Sequence, residues 1–497
     1  MDEVYQVDVE GFKVEVELSS SKSSIKQYKL LLPELSKPTK ALVEHIKAEL
    51  VLRINPEKTT NEASLNLLKK KIAHEAGNLI DEKMPSGAQS KQFIIAYLLN
   101  DVAGLGKMEY LLNDPYLEEV VIPGAKKPVM VYHKKHGWMQ TNIVIETDDQ
   151  ILNYSNIIAR RVGRQINVLT PLLDAHLATG DRANAVLYPT SNFGNTLTIR
   201  KFAREPWTFV DFIENNTCSS GVFSIIWMAI QYEMNILFSG GTASGKTSML
   251  NVCMPFVPLN QRVISIEDTR ELKLPDYLFW NPLLTRMPNT EGKGEVNMLD
   301  LLVNSLRMRP DRIILGEVRR GEDAMVLFEA MHTGHSVYAT VHADSSQETI
   351  SRLTNPPIAV PANLLKAVDL NVVMFRDRKQ GFRKLYQLSE FVETKGADKS
   401  SISSNILYRW VPTTNKIEPH SDSLKFFENL SRHTGLNQQE INNDIMRKKK
   451  ILDWLVKNKF TGIGNIGRMM RAYYLDEEAV FNAANDNLKP EYVLGRI

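Results

Sequence analysis

The sequence predicts an α/β protein built on a parallel β-sheet that is covered by helices on both faces. A separate α+β domain precedes this sheet, and a small mixed appendage follows it. Two observations favour the sheet. Strands and helices alternate from Asn235 onward, and a glycine-rich loop stands between the apolar strand 236–238 and a helix that begins near Ser248. After about Arg376 the pattern changes to short strands followed by helices, which indicates the appendage.

Length and composition set the broad class. The 497 residues exceed one ordinary hydrophobic core and predict two to four domains. The hydrophobic content of 43% and the charged content of 24% are typical of a soluble globular protein. A net charge of +2 gives no overall reason to expect nucleic-acid binding, so any basic site must be local.

Cysteine content and the N-terminal residues indicate the compartment. Cys218 and Cys253 are the two cysteines of the chain, which excludes a disulfide framework and a four-cysteine zinc site. Residues 1–5 lack the pattern of a signal peptide, and no apolar run is long enough to span a bilayer. We therefore expect a cytoplasmic protein whose contact with a membrane goes through a partner or a surface patch.

The first ninety residues are predicted as an N-terminal extension with a β part and a helical part. Residues 7–18 alternate between apolar and polar side chains on both sides of Gly11, as strands do. Residues 39–84 have apolar side chains at helical spacing and predict two or three helices, joined by a polar turn at 55–61.

The α+β domain is predicted over residues 91–204, followed by a linker at 205–217. Short apolar runs with glycine and proline between them predict its strands, and longer periodic stretches predict its helices. The predicted elements are a helix and turn within 94–112, a strand at 129–133, a helix at 150–162 and hairpin strands within 174–202.

The core with the parallel sheet is predicted over 218–376, beginning with a helix at 220–232, and the appendage over 377–497. The appendage is predicted to contain strands at 384–392 and 406–411 and helices at 424–433, 440–457 and 464–487.

The glycine-rich loop fits the pattern G-x-x-x-x-G-K-[ST] of a phosphate-binding loop. Its glycines let the backbone amides face one anion at the start of a helix, while Lys246 would reach the β- and γ-phosphates and Thr247 would offer its hydroxyl to Mg²⁺. The predicted nucleotide-binding residues here are Gly240, Gly241, Thr242, Ala243, Ser244, Gly245, Lys246, Thr247 and Ser248.

Two later strands end in acids. The strand that begins at Val263 ends at Glu267, which would polarise an attacking water, and the alternative is an exposed acidic turn. The strand that begins at Arg312 ends before Glu317, which follows Gly316 where many phosphate-loop ATPases have Asp. That favours contact with Mg²⁺ through water, or a base-like role, and the alternative is a simple ion pair with Arg319 or Arg320.

A third strand leads to His342, which could contact the γ-phosphate and report its presence. A histidine considered alone is more often a structural hydrogen-bonding residue. Its place after a third strand of the same sheet favours the functional interpretation.

Together these segments resemble the ATPases of the type II/type IV secretion superfamily, which assemble type IV pili, archaella and secretion pseudopili. The resemblance covers roughly 101–374, and the four signatures stand in the family's order: the phosphate loop, an acidic Asp box at 267–271, a Gly-Glu Walker B at 316–317 and a His box at 335–342. It implies a RecA-like P-loop ATPase core that takes ATP and Mg²⁺. It also implies that Glu267 is the general base, Glu317 the Mg²⁺-associated acid and His342 the γ-phosphate sensor.

The resemblance extends to the upstream domain, where 114–119 and 179–182 look like the family's N-terminal domain. It implies a homohexameric ring in which this domain rocks against the core and its arginines reach the nucleotide. Arg182 and Arg200 match those positions, and a guanidinium suits the role because it can bridge two phosphate oxygens. The alternative for each is an ion pair internal to the fold.

Several features resemble the archaeal branch of the family, which contains the archaellum and archaeal pilus ATPases. They are the absence of a four-cysteine zinc insertion, Ala243 where bacterial members have glycine, and the segment 264–272. The resemblance implies a polytopic membrane platform protein as partner, pilin subunits as indirect partners and a peripheral location at the inner face of the cell membrane. Which filament is built, and in which direction the motor works, stays open.

Three alternatives remain. A ring-shaped nucleic-acid motor is permitted by the basic residues 447–450 and by Lys126 and Lys127, although direct nucleic-acid binding is not expected. A type IV secretion ATPase that transfers DNA or protein is a second alternative. A nucleotide-binding scaffold without turnover is less favoured because both catalytic acids are present.

Overall fold

Two units, Met1–Arg204 and Glu205–Ile497, make up the chain in the computed structural model, and each contains a nine-stranded sheet. The structure describes residues 3–19, 25–54, 62–83, 88–177, 179–202, 205–288, 292–377, 379–395 and 400–495. The predicted turn at 55–61 lies outside the described residues. Within the described residues, no helix combines the length and the apolar character needed to cross a membrane.

The first unit contains a sheet with strand order β1-β2-β3-β6-β5-β4-β9-β8-β7, in which β3 and β6 pair in parallel and the other neighbours are antiparallel. Its strands are β1 Glu3–Val9, β2 Phe12–Ser19, β3 Lys26–Leu31, β4 Leu117–Ile122, β5 Pro128–His133, β6 Gly137–Val144, β7 Leu172–His176, β8 Arg182–Val186 and β9 Thr196–Arg200. Its helices are α1 Lys37–Arg53, α2 Glu62–Lys83, α3 Ala88–Val102, α4 Met108–Asn113 and α5 Asp148–Arg161.

The predicted extension 1–90 contributes to two hydrophobic cores. The alternating side chains of β1 and β2, among them Val7, Val14 and Val16, are buried together with those of the later strands. The apolar faces of α1, α2 and α3 form a separate core around Ile46 and Leu79. The strands of the extension therefore belong to the same sheet as the domain that follows them.

The second unit begins with helices α6 and α7 and then alternates strands with helices. Its strands are β10 Ile236–Gly240, β11 Arg262–Glu267, β12 Phe279–Leu284, β13 Arg312–Leu315, β14 Ser336–Val341, β15 Leu370–Arg376, β16 Arg383–Lys395, β17 Ser400–Val411 and β18 Lys416–Pro419. Its helices are α6 Phe209–Glu214, α7 Ser220–Gln231, α8 Lys246–Cys253, α9 Met298–Ser305, α10 Gly321–His332, α11 Ser346–Thr354, α12 Phe426–Thr434, α13 Gln438–Lys457, α14 Ile463–Leu475, α15 Glu477–Asn485 and α16 Pro490–Leu494.

The parallel half of this sheet has the order β12-β11-β13-β14-β10-β15, so β10 lies between β14 and β15. Alternate residues of β10 enter different cores: Ile236 and Phe238 pack on one face and Leu237 on the other. Helices α7 and α8 contribute to the first core and α10 to the second. The prediction of a RecA-like parallel sheet covered on both faces is confirmed.

Residues 377–497 extend the sheet and the core of the second unit. Strands β16, β17 and β18 continue the sheet from β15 in antiparallel pairs, and Trp454 of α13 and Met469 of α14 share one core with Trp227 of α7. The predicted helix over 464–487 is wrong in one respect. It is divided into α14 and α15 at Asp476, whose side chain accepts a hydrogen bond from the Ala479 amide and so begins a new helix.

The segment 205–217, predicted as a linker, contains the helix α6. Thr208 and Asp211 form a capping box at its start, and Phe209 and Val210 are fully buried in the core of the second unit.

One buried carboxylate connects the added strands to the added helices. Glu390 of β16 is fully buried and accepts hydrogen bonds from the backbone amides of Leu424 (2.6 Å), Lys425 (3.2 Å) and Phe426 (2.6 Å) at the start of α12. It also accepts from the side chains of Ser423 and Asn405. A negative charge at a helix N-terminus, with its oxygens fully hydrogen-bonded, stabilises the helix in this position.

We expect Glu390→Gln to lower the free energy of unfolding of the second unit by about 2–4 kcal/mol. The amide loses the charge and turns a donor toward backbone amides that are themselves donors. Urea unfolding of the full chain, followed by Trp fluorescence, measures the change. Glu428→Gln on the exposed face of α12 is the matched control and should change stability by less than about 0.5 kcal/mol. Equal effects of the two substitutions would contradict this role of Glu390.

Candidate functional site

The loop after β10 turns tightly where its glycines stand. Gly240 has φ 148°, and a Cβ there would lie 2.4 Å from Ser244 Oγ and 2.5 Å from the Met374 carbonyl oxygen. Gly245 has φ 96° and is the residue immediately before α8. Side chains would clash at the first position and strain the backbone at the second, so both positions require glycine.

The start of α8 provides a place for an anion. Its first turn has no side-chain cap and no acidic residue, so the first backbone amides of the helix have no partner within the helix. In the same loop the Ser244 hydroxyl is buried, and it has no hydrogen-bond partner among the described residues. These groups, together with Lys246, fit the phosphates of a nucleotide.

A row of side chains connects the loop to the two neighbouring strands. Lys246 Nζ donates to the Gly241 carbonyl (3.1 Å) and lies 3.4 Å from His342 Nε2. His342 follows β14, and its Nε2 lies 3.3 Å from Oε1 of Glu317, which follows β13. The parallel register brings the carboxyl ends of β10, β14 and β13 to one edge of the sheet, where a ligand crevice is expected.

The row continues from Glu317 through Arg319 to Asp268, which directly follows β11. Arg319 donates to Oε2 of Glu317 from Nε (2.9 Å) and Nη2 (2.6 Å), and its Nη1 donates to Asp268 Oδ2 (2.9 Å). The ion pair of Glu317 with Arg319, weighed above as the alternative for Glu317, is therefore present. It coexists with the contact to His342, because each contact uses a different carboxylate oxygen.

Glu267 ends β11 and is buried, with 2% of its surface exposed. Its Oε1 accepts hydrogen bonds from the amides of Glu271 (2.9 Å) and Leu272 (3.1 Å). Its Oε2 is buried without a hydrogen-bond partner in the described part of the chain. Burial raises the pKa of Glu267 to about 7, although the two amides oppose the change. Such a carboxyl can take up or release a proton near neutral pH.

Burial lowers the pKa of Lys246, while the charges of Glu317, Glu271 and Asp344 oppose that change. Burial and the charge of Lys246 lower the pKa of His342, and Glu317 opposes this in part. A neutral imidazole is thereby favoured, whose Nε2 accepts a hydrogen bond from Lys246 in one tautomer and donates to Glu317 in the other.

The predicted magnesium site has two candidate protein ligands, Thr247 and Glu317. Thr247 is the second residue of α8, and Glu317 lies in the row described above. In the part of the chain that the structure describes, no group of three or more His, Cys, Asp or Glu side chains could hold a metal ion. Mg²⁺ in nucleotide sites takes most of its ligands from water and phosphate oxygens, so one hydroxyl and one carboxylate fit its usual coordination.

The two predicted arginines lie in the first unit. Arg182 donates to Asp174 through Nε (2.9 Å) and Nη2 (2.5 Å), which is the internal ion pair weighed as its alternative. Arg200 is exposed on β9 and stands opposite Glu119 of β4 in the sheet.

Three residues of the second unit join the site without having been singled out in the sequence. Arg383 of β16 donates from Nε to the carbonyl of Ala243 in the loop (3.0 Å). The Asp344 carboxylate lies against Gly241, and the charge of Glu271 acts on Lys246. Glu271 is the last residue of the Asp box, and Asp344 follows the His box by two residues. An acidic residue this close to a recognised motif is a signal by which the sequence could have identified both. Arg383 carries no sequence signal, because 137 positions separate it from Lys246 and strand pairing alone brings it to the loop.

Comparisons with known proteins identify the family. Residues 152–385 match the model of the family described as type II/IV secretion system protein. An uncharacterised protein of Methanocaldococcus jannaschii is 32% identical over 403 residues, which are 79% of this chain and 72% of that protein. The type IV secretion system protein PtlH of Bordetella pertussis is 32% identical over 287 residues, which are 51% of this chain and 84% of that protein.

The chain belongs to the type II/type IV secretion superfamily of ATPases. A similar solved structure is the VirB11 ATPase from the Brucella suis type IV secretion system in complex with sulphate. It is 26% identical, covers 56% of this chain and 90% of its own, and has a TM-score of 0.30. The family match and the similarity to PtlH confirm, at the level of the superfamily, the resemblance inferred from the four motifs.

The raised pKa of Glu267 makes stability depend on pH. The pKa of Glu267 is about 7 in the folded chain and takes the ordinary value of 4.5 in the unfolded chain. The contribution of this group to stability is therefore fully present below pH 4.5 and is lost as the pH rises through 7. That difference corresponds to about 3 kcal/mol. We expect Glu267→Gln, which keeps the neutral form, to be more stable than the parent chain by about 2–3 kcal/mol at pH 9 and equally stable near pH 4.5.

Urea unfolding from pH 5 to pH 9 measures this dependence, with Glu428→Gln as control because Glu428 is exposed on α12. A difference between parent and Glu267→Gln that stays constant over this range would show that the carboxyl does not titrate as described.

Proposed function

We propose that this protein is an ATP-hydrolysing motor that works as a homohexameric ring and powers the assembly of a type IV pilus-like filament. The observation that carries the proposal is the row of contacts from Lys246 through His342 to Glu317 beside the phosphate loop. It supports hydrolysis because it joins a phosphate-binding cation, a group suited to sensing the γ-phosphate and an acid at one sheet edge.

In the proposed reaction the loop residues 240–248 bind the phosphates of ATP, and Lys246 offsets charge on the β- and γ-phosphates. Mg²⁺, when bound by Thr247 and by Glu317 through water, supplies charge neutralisation on the phosphate oxygens. Glu267 accepts a proton from the attacking water, for which a pKa of about 7 is suited. His342, whose Nε2 lies 3.4 Å from Lys246 Nζ, contacts the γ-phosphate beside that lysine.

Hydrolysis does work only if the nucleotide state changes the angle between the two units. In the proposed ring, Arg182 and Arg200 reach the nucleotide in one of its states. The bidentate contact between Arg182 and Asp174 would then be exchanged for contact with phosphate oxygens, which a planar guanidinium can also hold in pairs.

We further propose that the ring acts on a polytopic membrane platform protein, and through it on pilin subunits, at the cytoplasmic face of the membrane. The archaeal branch, with the archaellum and archaeal pilus ATPases, is favoured by the sequence features at Ala243 and 264–272. The relative from Methanocaldococcus jannaschii, which the chain matches over most of its length, supports the same branch.

Type IV secretion is a second candidate, favoured by the similarity to PtlH, which is named as a type IV secretion system protein. A nucleic-acid motor has less support, because the basic residues 447–450 have local partners. Lys448 is fully buried against Asp444, Arg447 pairs with Glu478, and Lys449 pairs with Asp453. Lys450 donates to the side chain of Asn485. These contacts reduce the charge that this surface could offer to phosphates.

The test of the catalytic assignment compares two neighbouring acids. We expect Glu267→Gln to lower kcat for ATP hydrolysis at least about 100-fold with ATP affinity changed less than about threefold, because the amide cannot accept a proton. Glu271→Gln, as control, should lower kcat less than about tenfold. Phosphate release measures kcat, and nucleotide titration measures affinity. Normal turnover by Glu267→Gln would refute its role as base, and a larger loss with Glu271→Gln would assign that role to Glu271.

The class of motor is tested by the mass of the assembly and by the effects of lipid vesicles and of DNA on ATP turnover. We expect the chain to form an assembly of about six times 56.4 kDa with ATP, as measured by light scattering after size-exclusion chromatography. We expect anionic lipid vesicles or a membrane platform protein to stimulate turnover, and DNA to have no effect. Turnover stimulated by DNA, with DNA binding that weakens steeply with salt, would favour the nucleic-acid motor.

A further inference from the structure

The Asp344 carboxylate lies against the phosphate loop. An ideal Cβ on Gly241 would be 2.5 Å from Asp344 Oδ1 and 3.5 Å from its Cγ, so the carboxylate occupies the space that any larger side chain at 241 would need. Asp344 is exposed, so it can carry its charge in water while touching the loop.

The backbone of Asp344 is held in place by hydrogen bonds at the start of α11. The Asp344 amide donates to Glu348 Oε2 (2.7 Å), and the Glu348 amide donates to Ser345 Oγ (3.1 Å) at the start of α11. The preceding Ala343 is buried. Asp344 therefore projects from a fixed point, two residues after His342, and does not belong to a loose loop.

Asp344 lies where Lys246, His342 and Gly241 meet, which is the γ-phosphate end of the site in the proposed function. Lys246 Nζ donates to the carbonyl of Gly241, the residue that Asp344 touches, and the same Nζ contacts His342. The negative charge of Asp344 also acts on Lys246. A γ-phosphate placed among Lys246, His342 and Gly241 would bring two negative groups together, whereas the shorter phosphate chain of ADP would leave more distance to Asp344.

We propose that Asp344 is a specificity-determining residue that weakens the binding of ATP relative to ADP by charge repulsion with the γ-phosphate. This inference rests on the proposed function, because it assumes that ATP binds in the loop. Its consequence is that the γ-phosphate of ATP can settle between Lys246 and Gly241 only when the Asp344 carboxylate turns away from the loop.

The experiment measures the dissociation constants of the full-length chain for MgADP and for the Mg²⁺ complex of the β,γ-imido analogue of ATP by calorimetry. Asp344→Asn removes the charge with little change in shape, and Asp344→Ala removes the carboxyl group. We expect both to tighten binding of the ATP analogue about 5- to 10-fold and binding of ADP less than about twofold. The gain should shrink at high salt because Asp344 is exposed to solvent.

Asp453→Asn on α13 is the control for net charge, since Asp453 is exposed and pairs with Lys449, and it should change neither constant. Equal gains for both nucleotides, no gain, or weaker binding of the ATP analogue by Asp344→Asn would overturn the proposal. A difference of more than about threefold between Asp344→Asn and Asp344→Ala would assign the effect to shape and would also overturn it. Failure of the parent chain to bind either nucleotide would instead overturn the proposed function.

Discussion

The burial of β10 between β14 and β15 is the constraint on which the second unit depends. The three strands run in parallel, and the side chains of β10 enter both hydrophobic cores, so neither the register nor the direction of β10 can change without exposing apolar surface. The loop after β10 is therefore fixed beside the ends of β14 and β13. Lys246, His342 and Glu317 meet because the strands that carry them are held in this order.

The electrostatics of the site follow from the same arrangement. The ammonium of Lys246 is partly buried, which penalises its charge, and carboxylates from three different strand ends compensate for it. A nucleotide that enters brings more negative charge and must compete with these carboxylates for the cation. In the proposed function, the binding of phosphate would therefore rearrange the contacts of Lys246 with His342 and with the Gly241 carbonyl.

The residues after 376 belong to the sheet and to a hydrophobic core of the second unit. A separate appendage would contribute to neither. Strands β16 to β18 continue the sheet on the far side of β15, and the helices after them pack on the face that α7 covers. The buried Glu390 connects these two parts at the start of α12. Arg383, which touches the phosphate loop, comes from this added region, so the residues beyond 376 contribute to the site as well as to the fold.

The sequence by itself determined the parallel sheet, the phosphate loop and the order of the four motifs. These features are local: the glycines at 240 and 245 are required by the backbone conformation of the loop, and each strand has a continuous apolar run that ends in a polar residue. The strands β1 and β2 and the helices α1 and α2 could also be predicted, because the spacing of their apolar side chains is likewise a local feature of the sequence.

The tertiary structure alone decided which side chains touch. The contact of Lys246 with His342 joins residues 96 positions apart, and that of Arg383 with Ala243 joins residues 140 positions apart. It also decided that Glu267 is buried with a raised pKa, that Asp344 lies against Gly241, and that the basic residues 447–450 have partners. These properties depend on strand order and on packing between distant segments, and neither can be read from periodicity or spacing along the chain.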